Sequence, residues 1–275
     1  MPTTILGIIV GIGVMVYAII DVSQRDPGAA IGIKDMYINL SAFLIVGGGT
    51  VASTLIAHPF SHLVTGFWAF FIVFIRREFD FLAIINHICD ASQKYSKEGI
   101  TGLENKLKSY KSNDLLKDGL SMIVNGYKVD EIQNYLETNV QRKYDREMID
   151  FYVFRTMGKA APAFGLVGTL VGLIFMLRIM GEQPEKVGPF LAVALVCTFY
   201  GLVLANLIIN PMGNRLMHHA EYNLRVGQME IEGITYILRK EHPVYIKDKL
   251  SSYIPPRQRK LLFKETPELD AKNKK

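Results

Sequence analysis

The stretch that decides the fold is Gly158–Pro211, which reads GKAAPAFGLVGTLVGLIFMLRIM, then GEQPEKV, then GPFLAVALVCTFYGLVLANLIINP. Two apolar segments flank a short polar turn. Ala160–Leu177 and Gly188–Ile209 contain no aspartate, glutamate, lysine or arginine, and each is long enough to cross a bilayer as a helix. The sequence therefore predicts a helical hairpin in a membrane.

Small and hydroxyl side chains line one face of each hairpin helix. They recur at i, i+3, i+7 and i+10 on the first helix and at i, i+4, i+7 and i+11 on the second. Small residues at these spacings let helices approach closely, but the same faces could also receive a carboxylate that carries ions. From the residues alone, tight packing without transport and an ion path are both open. The residues are Pro162, Gly165, Thr169 and Gly172, then Ala194, Thr198, Gly201 and Ala205.

Two further spans precede the hairpin. Thr3–Ile20 is an uncharged apolar run, and Met36–Ala57 is a second one with three consecutive glycines in its middle. Phe60–Ile75 is apolar and aromatic but short for a span, so we expect a helix lying at the cytoplasmic membrane surface. The pattern predicts an all-α membrane protein with four transmembrane helices, a large helical cytoplasmic loop between the second and third, and a helical cytoplasmic tail.

The charge distribution predicts the orientation of these spans. The formal charge is +5, from 31 basic and 26 acidic residues. Because bases near span ends mark the cytoplasmic side, we expect a multi-pass membrane protein with both termini in the cytoplasm. Bases and acids are intermixed, which is atypical of a nucleic-acid-binding surface. The flanking bases are Arg76, Arg77, Arg155, Lys159 and Arg215.

The long charged segments show helical periodicity. Phe79–Lys111 is predicted to be helical with a break at Gly99, and Asp114–Met157 is predicted to be one helix that runs directly into the hairpin. A helix continues after Pro211. Helices continuous with membrane spans would act as stiff levers. The predicted segments are 1–58 (first membrane hairpin), 59–157 (interfacial helix and cytoplasmic domain), 158–211 (second hairpin), 212–263 (helical tail) and 264–275 (disordered tail).

Neither the histidines nor the cysteines predict a metal site. His58 and His62 are four residues apart, but no glutamate lies between them and no third ligand is apparent. Cys89 and Cys197 fall in different predicted environments and form no CxxC motif. The sequence shows no nucleophile–base pair or nucleotide-binding loop, and no corresponding halves typical of a secondary transporter. We therefore expect neither an enzyme nor a cofactor.

The strings APAFGLVGTLVGLI and LAVALVCTFYGLVLANLI resemble the flagellar motor stator subunits of the MotA/PomA family, within the MotA/TolQ/ExbB superfamily. Further similar stretches are Phe43–Thr50 (FLIVGGGT), Glu98–Ile100, Leu103-Glu104 and Leu250–Arg257 (LSSYIPPR). The order of elements is also similar. The alternative, a TolQ/ExbB-like energiser of another envelope or motility machine, is disfavoured because those relatives have their large loop after the first span.

The resemblance implies an assembly and an activity. Members form a pentamer around a dimer of a MotB/PomB-type subunit, whose single membrane helix carries an aspartate. Ions that pass this aspartate drive the pentamer against a rotor protein of the FliG type. The implied function is an ion-conducting, torque-generating stator subunit in the lipid of a bacterial cytoplasmic (inner) membrane. It needs no cofactor beyond the transported H+ or Na+.

The resemblance also implies roles for individual residues. By the resemblance, sodium-driven members have a Thr-Thr pair at the position where this chain has Cys197-Thr198. The missing hydroxyl favours protons over sodium as the transported ion. Lys97 stands beside a position where the family often has arginine. The implied coupling residues are Pro162 and Pro211; those near the ion path are Pro162, Thr169, Cys197, Thr198 and Tyr200; those packing with the partner are Gly165, Gly168, Gly172, Ala194, Gly201 and Ala205; those at the rotor are Lys97, Glu98 and Glu104.

Overall fold

The structure is a computed structural model that describes residues 2–24, 37–73, 81–107, 114–256, 259 and 262. Every regular element in these ranges is a helix, which confirms the all-α prediction for this part of the chain. The elements are α1 (Pro2–Gln24), α2 (Leu40–Ala57), α3 (Phe60–Val73), α4 (Phe81–Glu98), α5 (Ile100–Leu107), α6 (Asp114–Val124), α7 (Val129–Ile179), α8 (Val187–Val203), α9 (Asn210–Leu238) and α10 (Pro243–Leu250). Residues 25–35, which connect the first two predicted spans, and the predicted disordered tail at 264–275 lie outside the described residues.

The chain divides into two compact units. The first comprises Met1–Arg76 and Glu147–His218, and the second comprises Arg77–Arg146 and His219–Lys275. In the described residues, three helices are long and apolar enough to cross a membrane. These are Leu40–Ala57, Val129–Ile179 and Pro184–Leu238, whereas the apolar part of α1, Ile9–Asp21, is shorter.

Helix α2 begins with a side-chain cap and contains a widened turn. Its start at Leu40 is set by Asn39, whose Oδ1 accepts a hydrogen bond from the Ala42 amide at 3.0 Å and so satisfies one otherwise free helix donor. Leu44–Gly48 forms a π-helical turn, a feature that is rare and often found at functional sites. The turn ends beside Gly49, where a Cβ would lie only 2.2 Å from Cδ1 of Phe164. The glycine is therefore required for the α7 ring to lie against α2.

The second unit is built around one apolar core. The apolar residues that recur at helical spacing in the sequence are buried: Ile84, Ile88 and Ala91 on α4, and Ile132, Leu136 and Val140 on α7. Helix α9 supplies the third side of this core, and its glycines allow close contact. A Cβ at Gly227 would lie 2.7 Å from Val140, and one at Gly233 would lie 2.7 Å from Ile88. The core includes Ile84, Ile88, Ala91, Ile132, Leu136, Val140, Met229, Ile234, Ile246 and Leu262.

Two glycines make the corners of this unit. Gly99 has φ +67° and ends α4, as the sequence predicts. Gly126 has φ +78°, and the amide of Tyr127 donates to the carbonyl of Met122 at 3.1 Å. The prediction of one helix over Asp114–Met157 is therefore wrong, because the chain turns between α6 and α7. Glycine populates positive φ without the steric cost that a Cβ brings, and this explains both breaks.

A shared carboxylate joins α9 to the turn that follows α10. Oε1 of Glu232 accepts from the Tyr236 hydroxyl at 2.6 Å, and Oε2 accepts from the Tyr253 hydroxyl at 2.9 Å. The hydrogen bond to Glu232 and burial raise the pKa of Tyr236 to about 12. Burial and the hydrogen bond to Glu232 raise the pKa of Tyr253 to about 12. Both phenols thus stay protonated where an exposed tyrosine, near pKa 10, would begin to ionise.

Replacing Glu232 with glutamine should therefore lower the pKa of both tyrosines toward 10, because the negative charge is removed. In the wild type, the stability gained from these raised pKa values is complete below about pH 10. It is lost as the pH rises through the folded value of about 12. The measurement is tyrosinate absorbance during alkaline titration of the purified chain. Glu137→Gln is the control, since Glu137 accepts from Gln133. Identical titrations for wild type and Glu232→Gln would disprove the assignment.

Candidate functional site

The two hairpin helices meet through their small residues. A Cβ at Gly165 would lie 3.0 Å from the carbonyl oxygen of Cys197, and one at Gly172 would lie 2.7 Å from Cβ of Ala194. At Gly201 it would lie 2.6 Å from the carbonyl oxygen of Ala161. These contacts are with backbone or with a first side-chain carbon, so no rotamer change could relieve them. The glycines are what permit α7 and α8 to pack at this distance.

This contact corrects one part of the sequence interpretation. The small residues assigned to packing with a partner helix lie between two helices of the same chain. Ala205 is fully buried in a cluster with Ala161, and Gly168 faces Cys197. Because the small faces cover each other, the side chains that α7 and α8 expose are apolar and larger than those in the helix contact. The small residues are Gly165, Gly168, Gly172, Ala194, Gly201 and Ala205; the exposed ones include Leu166, Leu170, Ile174, Leu195 and Leu202.

Two threonine hydroxyls meet in this helix contact. Oγ1 of Thr169 and Oγ1 of Thr198 are hydrogen-bonded to each other. Oγ1 of Thr169 also lies 3.1 Å from the carbonyl oxygen of Gly165 and 3.0 Å from that of Ala194. A hydroxyl has one proton to donate, so these acceptors compete for it. The arrangement is a neutral group of four oxygens between two apolar helices, and its protons can change partners.

The two prolines lie at corresponding ends of the hairpin. Pro162 stays inside α7, and its Cα lies 3.2 Å from a Cβ built at Gly201. Pro211 directly follows Asn210, at the end of a π-helical turn over Leu204–Ile209. Proline has no amide hydrogen and crowds the carbonyl four residues earlier. Each proline thus leaves a carbonyl without its usual donor in an otherwise apolar span.

Cys197 and Tyr200 contact α2 rather than the threonine pair. Cys197 is fully buried with Ala42 and Val46. The Tyr200 hydroxyl donates to the carbonyl of Tyr37 and accepts from the amide of Asn39 at 3.1 Å. Tyr200 thus holds the residues that begin α2. Of the predicted ion-path residues, the structure therefore brings Thr169 and Thr198 together. It places Pro162 two turns before Thr169, beside Gly201, and Cys197 and Tyr200 on the neighbouring side of α8.

The residues predicted to meet a rotor lie at one corner of the second unit. Lys97 and Glu98 end α4, and Glu104 lies on α5; all three are exposed. Gly99 makes the corner between these helices, while Leu103 of α5 is fully buried. The corner thus presents two carboxylates and one ammonium group, and the burial of Leu103 in the core holds its backbone in place.

His58 and Cys89, both outside the hairpin, have structural partners. Nε2 of His58 shares a hydrogen bond with Oγ1 of Thr156 at 2.9 Å and so links the end of α2 to α7. Sγ of Cys89 donates to the carbonyl of Pro243 at 3.6 Å. Burial raises the pKa of the Cys89 thiol to about 11, despite the opposing charge of Lys247. Cys89 therefore stays a thiol at neutral pH and is a poor nucleophile.

Sequence reasoning missed the two π-helical turns and a row of asparagines. The second turn, Leu204–Ile209, precedes Pro211, and a proline that removes one helical donor is the signal that could have indicated it. Asn206, Asn210 and Asn214 follow one another at a spacing of four and are all exposed. The spacing is visible in the sequence.

Comparisons with known proteins agree with this geometry. Residues 108–229 match the model of the MotA/TolQ/ExbB proton channel family. Motility protein A of Aquifex aeolicus is 33% identical over 78% of this chain and 84% of its own length. Chemotaxis protein PomA of Vibrio alginolyticus is 29% identical over 95% of this chain and 98% of its own length.

Two solved structures have the same fold. The C. jejuni MotAB structure superposes with a TM-score of 0.82 at 20% identity and covers 92% of this chain and 96% of its own. The flagellar MotAB stator complex of Bacillus subtilis gives a TM-score of 0.77 at 24% identity, covering 90% and 96%.

The charge-free spans of the hairpin, the long apolar helices and the matched family define a membrane protein of the ion-channel type. More narrowly, the chain belongs to the motility protein A family, within the MotA/TolQ/ExbB proton channel family.

Proposed function

We propose that this chain is the ion-conducting, torque-generating stator subunit of a bacterial flagellar motor. The observation that carries the proposal is the threonine pair inside a hairpin whose spans contain no charged residue. An ion path through a membrane needs an ionisable group, so the carboxylate comes from another chain. A MotB/PomB-type subunit with a single aspartate-bearing helix supplies it, and five copies of this chain surround two copies of that subunit.

The ion is proposed to be a proton. The hydroxyls of Thr169 and Thr198 are hydrogen-bonded to each other, which leaves no space between them for a desolvated cation in this arrangement. The hydrogen bonds among these hydroxyls and carbonyls can change partners as a proton passes along the neighbouring carboxylate. Cys197, where the residue type differs from sodium-driven relatives, lies against α2 and contributes no oxygen to this group.

Torque is proposed to pass from the hairpin to the cytosolic side through α7 and α9. Helix α7 runs from Val129 to Ile179 with Pro162 inside it, and α9 directly follows the second π-helical turn. In this proposal α1, α2 and the hairpin make four spans, α3 lies at the interface, and both termini are cytoplasmic. Lys97, Glu98 and Glu104 then meet a FliG-type rotor protein through charge pairs.

Deleting the gene should abolish swimming while leaving assembled flagella, because torque is lost and assembly is not. The measurement is swimming in soft agar together with electron microscopy of flagella, in a strain with no second stator. Re-expression of the wild-type chain should restore swimming and serves as the control. Intact motility in the deletion strain would contradict the proposed function.

A further inference from the structure

A row of amide side chains continues the exposed face of the hairpin's second helix. Leu195 and Leu202 on α8 are exposed and apolar. One turn beyond Leu202, the exposed positions become Asn206, Asn210 and Asn214. We call these three residues the asparagine row. The exposed face of this helix thus changes from apolar to polar near Asn206.

The backbone adds a further oxygen at the start of the row. In the π-helical turn, the amide of Asn210 donates to the carbonyl of Ala205, five residues earlier. The next donor in that register is Pro211, which has no amide hydrogen. At the same spacing of five residues, the carbonyl of Asn206 would accept from residue 211. This carbonyl therefore has no backbone donor at that spacing, on the same turn as the Asn206 amide side chain.

The side chains of the row are tied to each other and to α7. Nδ2 of Asn210 donates to Oδ1 of Asn206 at 3.3 Å. Oδ1 of Asn210 lies so close to α7 that a Cβ at Gly158 would be 2.1 Å from it. The glycine thus leaves space for the amide across the helix contact. The first two asparagines therefore have a fixed arrangement, in which Oδ1 of Asn206 accepts from Asn210 and Oδ1 of Asn210 lies against α7.

The depth of the row argues against lipid contact. At 1.5 Å per residue, Asn206 lies about 13 Å from Arg215, the first charged residue beyond the span, and about 12 Å from Thr198 on the other side. An amide side chain and a carbonyl without a backbone donor are costly in hydrocarbon at such a depth, and they are tolerated where they line a water-filled cavity or are covered by protein. Leu202 alone separates the row from the level of the threonine pair on this face.

We propose that Asn206, Asn210 and Asn214 line a water-filled exit through which the ion leaves the threonine pair for the cytoplasm. The proposal rests on the proposed ion path. Amide and carbonyl oxygens can replace part of the hydration shell of a hydronium or other monovalent cation. Because the amides are neutral, they hydrate a passing ion without holding it as a carboxylate would. The row therefore speeds release rather than binding.

Accessibility of the row to water is tested by thiol modification in native membranes that contain the full stator. Single cysteines are placed at 195, 202, 206 and 210 in a Cys89→Ala, Cys197→Ala background. A cationic, membrane-impermeant methanethiosulfonate is then added to inside-out vesicles. We expect positions 206 and 210 to react at least about tenfold faster than 195 and 202, since thiolates form in water and not in hydrocarbon. Equal slow rates would overturn the proposal and indicate lipid or a neighbouring copy at this face.

The contribution to ion release is tested by Asn206→Leu, with Asn206→Gln as the conservative variant. We expect Asn206→Leu to slow motor rotation severalfold while Asn206→Gln stays near wild type, at equal amounts of membrane-inserted protein. Wild-type rotation speed for Asn206→Leu would overturn the proposal even if the site is accessible. A wild-type chain that drives no rotation would instead refute the proposed function, and the thiol rates would still decide whether the row faces water.

Discussion

Replacing Gly201 with alanine is expected to separate the hairpin helices and stop the motor. A Cβ there would lie 2.6 Å from the carbonyl oxygen of Ala161 and 3.2 Å from the Cα atoms of Pro162 and Gly165. All three are backbone atoms, so the strain can be relieved only by moving a helix. Overpacking of this kind costs about 1–3 kcal/mol or more, and the threonine pair lies one turn away and would be pulled apart.

The effect is measured as the thermal unfolding midpoint of the purified complex and as swimming speed. Gly188→Ala is the matched control, because it introduces the same methyl group in the same helix where nothing lies within 4 Å. We expect the control to unfold and swim like the wild type and Gly201→Ala to lose both stability and motility. A Gly201→Ala protein with wild-type stability and motility would show that the close helix contact is not needed.

Replacing Thr198 with valine is expected to abolish rotation while leaving the fold intact. Valine has nearly the same shape, and the Thr169 hydroxyl would keep acceptors in the carbonyls of Gly165 and Ala194. The protein should therefore insert and assemble normally. What is lost is the hydroxyl that meets Thr169, and with it the continuity of the oxygens along the proposed ion path.

Three variants make this test specific. Thr198→Ser keeps the hydroxyl and should restore most of the rotation speed. Thr54→Val removes a buried hydroxyl that donates only to the Thr50 carbonyl of its own helix, at 2.7 Å, and should rotate like the wild type. Thr169→Val should resemble Thr198→Val. Normal rotation of both valine variants would remove the threonine pair from the mechanism.

Much of the helical architecture could be predicted because it depends on local patterns. The absence of charge over Ala160–Leu177 and Gly188–Ile209 is a property of composition, and it predicts apolar helices without any tertiary information. The break at Gly99 and the buried face of α4 follow in the same way. The corner at Gly126 was missed because helical periodicity is present on both sides of it, although the Asn125-Gly126 pair is itself a turn signal.

The site could be predicted only in part. Spacing placed Thr169 and Thr198 on facing surfaces, and the structure brings their hydroxyls into contact. Spacing does not say what a small face packs against, so Gly165 and Gly201 were assigned to a partner although each faces the other hairpin helix. The position of Tyr200 against Tyr37 depends on how α2 packs, which no local pattern contains.

The central claim is that proton flow past the threonine pair drives rotation. It is tested most directly by the rotation speed of tethered cells in sodium-free medium, with this chain and its partner subunit as the only stator, while the proton-motive force is lowered in steps. The account predicts that the motor turns without sodium and that its speed falls to zero with the proton-motive force. Two results would contradict the account. One is that rotation stops when sodium is withdrawn at full proton-motive force; the other is that rotation persists after the proton-motive force has collapsed.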